Sequence, residues 1–138
     1  MSSVAPVAVA SLIGNKLAPD GSKLVLAEWT IPGRSAGEPE WMAPLHVHHD
    51  DDEAWYVLEG VLRVRVGGTD HEVPAGGAVI GPHGIPHTFG NAGPEPARYL
   101  IIMSDRTSAL LDELHSGRHF ELDEMRALYA AYGCELLD

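Results

Sequence analysis

The chain has 138 residues and a formal net charge of −11 at neutral pH. This length suits one domain with its own core, so we expect a single domain over residues 1–138. The acidic balance argues against nucleic acid and anionic membrane surfaces as partners, because phosphate contacts require lysine and arginine. It does not exclude a small anionic substrate, because a bound metal can reverse the local field.

Cysteine usage and hydropathy bear on the compartment. Cys134 is the only cysteine in the sequence, so no intrachain disulfide can form and nothing points to an oxidising compartment. No apolar run approaches the roughly 20 residues that a membrane-spanning helix needs. We therefore expect a cytoplasmic protein without a membrane partner.

Alternation of apolar and polar residues predicts short β-strands through most of the chain. The alternation is clearest in Val61–Val66, where Leu62 and Val64 face one way and Arg63 faces the other. The run Gly67-Gly68-Thr69-Asp70 that follows is typical of a hairpin turn. The other predicted strands or extended segments cover residues 23–31, 41–48, 53–58, 71–73, 78–80, 87–89 and 98–103.

The periodicity changes after Ser104. Leucines at helical spacing predict a helix over Thr107–His115, and a second amphipathic stripe runs from Leu122 to Tyr132 with Gly133 as its stop. We predict an all-β fold: a barrel core from about residue 24 to 103, with two C-terminal α-helices, at about 105–133, packed outside it.

Two stretches carry residues that can bind a metal. His46 and His48 stand at positions i and i+2, so on a strand both side chains point to the same face. Glu53 opens the next predicted strand and can lie opposite them. Glycine and proline turns further on can deliver His87 to the same place. Three imidazoles and one carboxylate are a mixed nitrogen and oxygen ligand set for a divalent transition metal.

Each residue also has a plainer interpretation. A single histidine on a strand is usually a surface residue or a hydrogen-bonded core residue, and Asp50-Asp51-Asp52 is typical of a solvated turn. The remaining histidines lack the ligand spacing and are predicted not to bind metal: His49, His71, His83, His115 and His119. The Asp run also lacks the pattern of a calcium-binding loop.

The spacing of the two stretches resembles that of the small single-domain cupins. The first family motif is Gly-x5-His-x-His-x4-Glu-x6-Gly, which His46, His48, Glu53 and Gly60 match, although Glu40 replaces its leading glycine. The second motif is Gly-x5-Pro-x-Gly-x2-His-x3-Asn, and every position of it is filled. Its residues are Gly76, Pro82, Gly84, His87 and Asn91.

The resemblance covers about Leu24 to Met103. It implies a jelly-roll β-barrel with one divalent metal ion inside, held by His46, His48, Glu53 and His87. Ligand type narrows the metal only to Fe, Mn, Ni, Co, Cu or Zn. The same fold serves many reactions, so fold-level likeness does not choose between them.

Three functions stay open. The first, narrowly favoured, is an oxygen-dependent enzyme of the dioxygenase type, since open coordination positions on the metal could take O2 and substrate. The resemblance to flavonol-cleaving cupin dioxygenases implies Glu53 as the catalytic base. The second is a redox-neutral cyclase, isomerase or decarboxylase, with cupins that cyclise aromatic polyketides as the family analogue. The third is a non-catalytic small-molecule-binding module.

The expected substrate is a small organic molecule, aromatic or polyketide-like, with vicinal or enolisable oxygens. The parity of Glu53 and His87 also directs Trp55, Val57 and Phe89 inward, where they would form an apolar pocket or simply barrel core. His49 and Tyr56 are weaker candidates for the base, because their parity points them outward. We also expect a homodimer, because edge strands and apolar stripes on the N-terminal segment and second helix need covering.

Overall fold

The computed structural model describes residues 6–35 and 41–137. Its ten strands and two helices follow in chain order, and all strand pairs are antiparallel. The elements are β1 (Lys16–Leu17), β2 (Leu24–Ile31), β3 (His46–His48), β4 (Glu53–Glu59), β5 (Val61–Val66), β6 (Thr69–Pro74), β7 (Ala78–Gly81), β8 (His87–Asn91), β9 (Ala97–Ser104), α1 (Asp105–Leu114), α2 (Leu122–Ala131) and β10 (Cys134–Leu136).

The strands form two five-stranded sheets. One has the order β1-β2-β9-β4-β7 and the other β10-β3-β8-β5-β6. The alternating residues of both sheets meet in a shared core, in which Trp55, Val57, Leu62 and Val64 are fully buried. The all-β prediction with two C-terminal helices is confirmed.

Most predicted strands appear with ends shifted by one or two residues. In the extended segment over residues 41–48, only the last three residues form a strand. Before them, Met42 donates one backbone hydrogen bond to Phe89 and Leu45 accepts one from Leu137, too few for regular strand pairing. The short strands β1 and β10 are absent from the sequence-based prediction, because two or three residues carry no readable alternation. Part of the predicted loop over residues 32–40, including Glu40, lies outside the described residues.

The first helix begins two residues before the predicted start. Ser104 ends β9 and also caps α1, where its hydroxyl accepts a hydrogen bond from the Thr107 amide at 3.0 Å. A second helix follows at α2, whose Glu121 and Glu124 form a reciprocal capping box. Within the described ranges, neither helix is long and apolar enough to cross a membrane.

The two helices pack outside the sheets, as expected, and they also contribute to the wall of a cavity. Leu110 and Tyr129 form a second buried cluster with Cys134, and both side chains also line the cavity described below. The reason lies in β10, which returns the chain to the edge of β3 and brings both helices over the opening between the sheets.

Candidate metal centre

Four potential ligands meet between the two sheets. The histidines come from the second sheet, His46 and His48 from β3 and His87 from β8, where His46 and His87 are register partners. Glu53 comes from β4 of the facing sheet. One ligand atom from each of the four lies within 4.8 Å of the others. The structure therefore brings together all four residues that the sequence singled out.

The four side chains are almost completely buried, with 7% of His46, 2% of His48, 6% of Glu53 and 1% of His87 exposed. Burial without a partner is costly for a carboxylate, so a compensating cation or donor is required. His87 Nε2 lies 2.9 Å from Glu53 Oε2, and His48 Nε2 lies 3.7 Å from the same oxygen.

Two of the imidazoles are oriented by contacts on the nitrogen that faces away from the cluster. His46 Nδ1 donates to the Pro44 carbonyl at 2.7 Å, which leaves the Nε2 lone pair for the cluster. His48 Nδ1 lies 3.0 Å from Cys134 Sγ and 3.4 Å from Thr107 Oγ1. A carbonyl can only accept, so the Pro44 contact fixes the proton of His46 on Nδ1, whereas the thiol and the hydroxyl beside His48 orient its ring.

Two ring nitrogens of the cluster histidines lack a hydrogen-bond partner among the described residues. His48 Nε2 is buried without a hydrogen-bond partner, and so is His87 Nδ1 at the other end of its ring. Buried polar atoms are normally paired, so an unpartnered His48 nitrogen beside a carboxylate and two further imidazoles fits a cation-binding site. The ligand set, three imidazole nitrogens and one carboxylate oxygen, fits a divalent transition metal.

Burial sets the charge state of the cluster. Desolvation is the main cause that lowers the pKa of His46 to about 4, and it also lowers the pKa of His48. For Glu53, burial alone would raise the pKa, but the hydrogen bond from His87 and the nearby imidazoles outweigh it, so the pKa lies below its ordinary value. At neutral pH His46 and His48 are therefore neutral imidazoles beside the Glu53 carboxylate.

A glycine makes room for His87. Gly81 is the register partner of Glu53, and a Cβ built on Gly81 would lie 2.9 Å from His87 Nδ1. That separation is shorter than van der Waals contact, so any larger residue would push the imidazole away. Trp55 supports the ring from another side, edge to face at 5.4 Å between centroids.

The cluster opens into a cavity of about 590 Å³. His46, His48 and Glu53 face this cavity, whereas His87 is not among the lining residues. The walls are mainly apolar and aromatic and come from β2, β8, β9, α1, α2 and the segment before β3. Their principal side chains are Trp29, Ile31, Met42, Phe89, Tyr99, Ile101, Leu110, Leu111, Leu114, Met125 and Tyr129. Among the described lining residues none is a lysine or an arginine.

The side chains predicted to point inward lie in two places. Phe89 lines the cavity, whereas Trp55 and Val57 are fully buried in the core behind it. Sequence reasoning missed the walls contributed by the C-terminal helices, above all Tyr129, whose ring lies 5.7 Å from that of His46. Helical spacing marks such residues only as apolar stripe, so no sequence signal separates a cavity wall from a packed face.

The other histidines lie elsewhere. His49 faces solvent and approaches Glu135 at 3.6 Å, while His83 pairs with Asp52 at 2.8 Å on the surface. Tyr56 is 41% exposed on the outer face of its sheet. Neither His49 nor Tyr56 lines the cavity. His115 lines the cavity beside Trp29 and does not belong to the four-residue cluster.

Comparisons with known proteins agree with this geometry. The family model described as "Cupin domain" matches residues 35–103, which is half of the chain. A search of curated proteins finds no significant match. Three solved structures illustrate the likeness to other proteins of this architecture.

The polyketide cyclase RemF from Streptomyces resistomycificus is 29% identical, with a TM-score of 0.51. The match covers 65% of this chain and 62% of the cyclase. A sugar phosphate isomerase from Silicibacter pomeroyi is 24% identical, with a TM-score of 0.50, over 60% of this chain and 51% of the isomerase. The chain thus spans less than two thirds of either protein.

The Cnp3 cupin domain of Schizosaccharomyces pombe is 19% identical, with a TM-score of 0.55, over 76% of this chain and 67% of that domain. At this identity the likeness shows the two-sheet fold alone, as it does for the isomerase. The family match, in contrast, spans the stretch that holds the whole cluster from His46 to His87. On that match, this chain belongs to the cupin domain family.

Proposed function

We propose that this protein is a metal-dependent enzyme that acts on a small, largely apolar molecule bearing neighbouring oxygens. The observation that carries the proposal is the buried cluster of three histidines and one glutamate at the end of an apolar cavity. Its volume of about 590 Å³ lies within the range of roughly 300–1,000 Å³ typical of small-molecule sites.

We propose His46, His48, Glu53 and His87 as ligands of one ion of Fe, Mn, Ni, Co, Cu or Zn. Such an ion, when bound, polarises an oxygen of the substrate and makes a neighbouring proton more acidic. The apolar walls hold the rest of the molecule and exclude water from the reacting end.

Glu53 is the proposed catalytic base. Its pKa is lowered, so at neutral pH it is a carboxylate that can accept a proton but has none to donate. His87 Nε2 lies 2.9 Å from Glu53 Oε2, so the two proposed ligand atoms converge on the place where the ion would bind. Because burial raises the pKa of Tyr129 to about 12 and also raises that of Tyr99, both cavity phenols stay protonated and can donate hydrogen bonds to substrate oxygens.

The redox-neutral reaction has the better support. The polyketide cyclase RemF is 29% identical over 65% of this chain, and an apolar, partly aromatic cavity suits an enolisable polycyclic molecule. The likeness to a sugar phosphate isomerase does not extend to its substrate, because the described walls offer no lysine or arginine for a phosphate group. We therefore place cyclisation or isomerisation first.

The oxygen-dependent reaction, favoured on sequence, becomes the second candidate. What favours it is the donor set itself, because three histidines and a carboxylate leave coordination positions open for O2 beside the substrate. The family resemblance to flavonol-cleaving dioxygenases gives Glu53 the same task of removing a proton. O2 dependence separates the two reactions.

The test begins with elemental analysis of protein purified without a metal-affinity tag. The protein is then assayed against flavonols, diketones and hydroxyquinones, in air and under anaerobic conditions. Turnover unchanged without O2 supports the redox-neutral reaction, and turnover that stops and returns with air supports the dioxygenase. Binding without turnover by every candidate metal form would leave a non-catalytic binding protein.

A matched pair of variants tests the role of Glu53. Glu53→Gln removes the charged base but keeps an oxygen ligand, so we expect activity to fall further than metal content. Glu59→Gln is the control, because Glu59 ends the same strand but is largely exposed and pairs with Arg98. Equal activity in the two variants would remove Glu53 as the base.

We also propose that the protein forms a homodimer. The outer face of the β1-β2-β9-β4-β7 sheet carries exposed apolar side chains, with Leu24 57% and Ile80 61% exposed beside Tyr56. A second copy would cover this face and protect its edges. Light scattering at increasing concentration tests the proposal. Ile80→Asp should favour the monomer, whereas Ile85→Asp, which lies away from this face, should not. A wild-type protein that stays monomeric at high concentration would contradict the proposed homodimer.

A further inference from the structure

The side of His48 that faces away from the cluster contacts two residues of the C-terminal segment, residues 105–137. Cys134 Sγ lies 3.0 Å from His48 Nδ1, and Thr107 Oγ1 approaches the same nitrogen at 3.4 Å. All three side chains are buried. We propose that Cys134 and Thr107 are positioning residues that hold the His48 ring in its ligand orientation; this inference rests on the proposed metal site.

The hydrogen-bond directions are consistent with that role. The Cys134 thiol donates to the Tyr132 carbonyl at 3.4 Å, so its sulfur presents lone pairs to His48. His48 Nδ1 can then donate its proton to sulfur, with Thr107 Oγ1 as the second acceptor. With the proton on Nδ1, the buried and unpartnered Nε2 keeps its lone pair for the cluster.

Cys134 is held opposite His48 by main-chain pairing. The register of β10 against β3 places the two residues directly across from each other. Backbone hydrogen bonds extend the pairing on both sides, from His49 N to Gly133 O and from Leu137 N to Leu45 O, each at 2.9 Å. The sulfur is therefore positioned by the same ladder that positions the ligand strand.

Thr107 is held by the start of α1. Its amide donates to the Ser104 cap, and the neighbouring Arg106 pairs with Asp51 at 2.8 Å, three residues beyond His48. The Arg106 guanidinium also packs against Gly133, where an added Cβ would lie 3.0 Å from Cζ. These contacts join the helix, the loop after β3 and the entry to β10 around one imidazole.

The other two histidines do not depend on this segment for a hydrogen bond. His46 Nδ1 uses the local carbonyl of Pro44, and His87 Nδ1 has no partner in the described chain. Among the three imidazoles, the C-terminal segment therefore offers hydrogen-bond partners to His48 alone. Removing its two acceptors should weaken metal binding and change the ligand field, without abolishing the site.

The experiment titrates Co²⁺ into metal-free protein and follows the visible absorption of the bound ion. Thr107→Val is close in shape and keeps the Ser104 cap, and Cys134→Ala removes the sulfur. We expect each variant to bind Co²⁺ more weakly, and the double variant roughly 10–100-fold more weakly, the range for loss of partners behind a ligand. The absorption bands should shift in the same order.

Cys134→Ser returns an acceptor to His48 and should recover most of the affinity and the wild-type spectrum, which a purely structural defect would not. Ser108→Ala is the matched control: Ser108 is also buried on α1, but its hydroxyl accepts from Lys16 Nζ at 2.8 Å. Thermal melting of the metal-free variants shows how far each one stays folded.

The possible outcomes separate this inference from the proposed function. Wild-type affinity and spectrum in the double variant would overturn the positioning role while leaving the metal site intact. An equal loss in Ser108→Ala, or no recovery in Cys134→Ser, would also overturn it. A wild-type protein that binds none of the six candidate metals would instead overturn the proposed function, and the positioning role with it.

Discussion

The two-sheet body and the C-terminal segment contribute differently to the same site. The sheets supply every proposed ligand, from β3, β4 and β8, and hold them by strand register. The C-terminal segment supplies none of these, but it provides much of the cavity wall and the contacts behind His48. The ligands thus come from the sheets alone, whereas the cavity walls come from the sheets and the C-terminal segment together.

The largest effect is expected from removing a sheet ligand. His87→Ala deletes one of three imidazoles and the hydrogen bond to Glu53, so stoichiometric metal binding and activity should be lost while the sheets stay folded. His46→Ala should act in the same way. Metal content and circular dichroism measure the two effects, with the exposed His83→Ala as control. Full metal occupancy in His87→Ala would show that the site is misassigned.

The next largest effect concerns the C-terminal segment. Leu110 is 2% exposed and lies at the centre of the second buried cluster. Leu110→Ala should cost about 2–5 kcal/mol of unfolding free energy, as expected when a buried leucine leaves a cavity. Urea denaturation measures this loss, and it should exceed that of the half-buried Leu111→Ala. In Leu110→Ala we expect substrate affinity to change more than metal affinity. A larger change in metal affinity would contradict the view that this leucine shapes the cavity and does not hold the ligands.

A smaller effect is expected where the sheet makes room for a ligand. Gly81→Ala places a methyl group against His87, and overpacking of this kind costs about 1–3 kcal/mol. Metal affinity should fall because the imidazole has to move. Gly68→Ala is the control, since a Cβ there meets nothing within 4 Å. Calorimetric metal titration distinguishes the two, and equal affinities would show that the ring adjusts freely.

The smallest effect should come from the ion pair between the two regions. Arg106 is partly exposed and Asp51 more buried, so solvent screening limits the pair, and Arg106→Gln should cost about 0.5–1 kcal/mol. The loss should shrink at high salt. Arg118→Gln, which breaks an exposed pair with Glu124, should cost less. A larger loss in Arg118→Gln would show that the Arg106 contact does not join the regions.

The sequence alone identified the cluster because its spacing is local. Side chains at i and i+2 share a face of a strand, so His46 and His48 had to converge if β3 formed. The turns allow Glu53 and His87 to reach the same place, and the resemblance to the two cupin motifs implied both as ligands. The strand alternation that buries Leu62 and Val64 is a local pattern. The fold class and the choice of four candidate ligands therefore needed no tertiary information.

The cavity and the contacts behind His48 were decided only by the tertiary structure. Cys134 is 86 residues from His48 and Thr107 is 59 residues away, and neither has a spacing that signals a contact. Strand β10 is too short to show a period, yet its pairing with β3 brings the helices over the cluster. Such long-range pairing depends on which strand edges are still unpaired once both sheets have formed. The local alternation of apolar and polar residues carries no information about that.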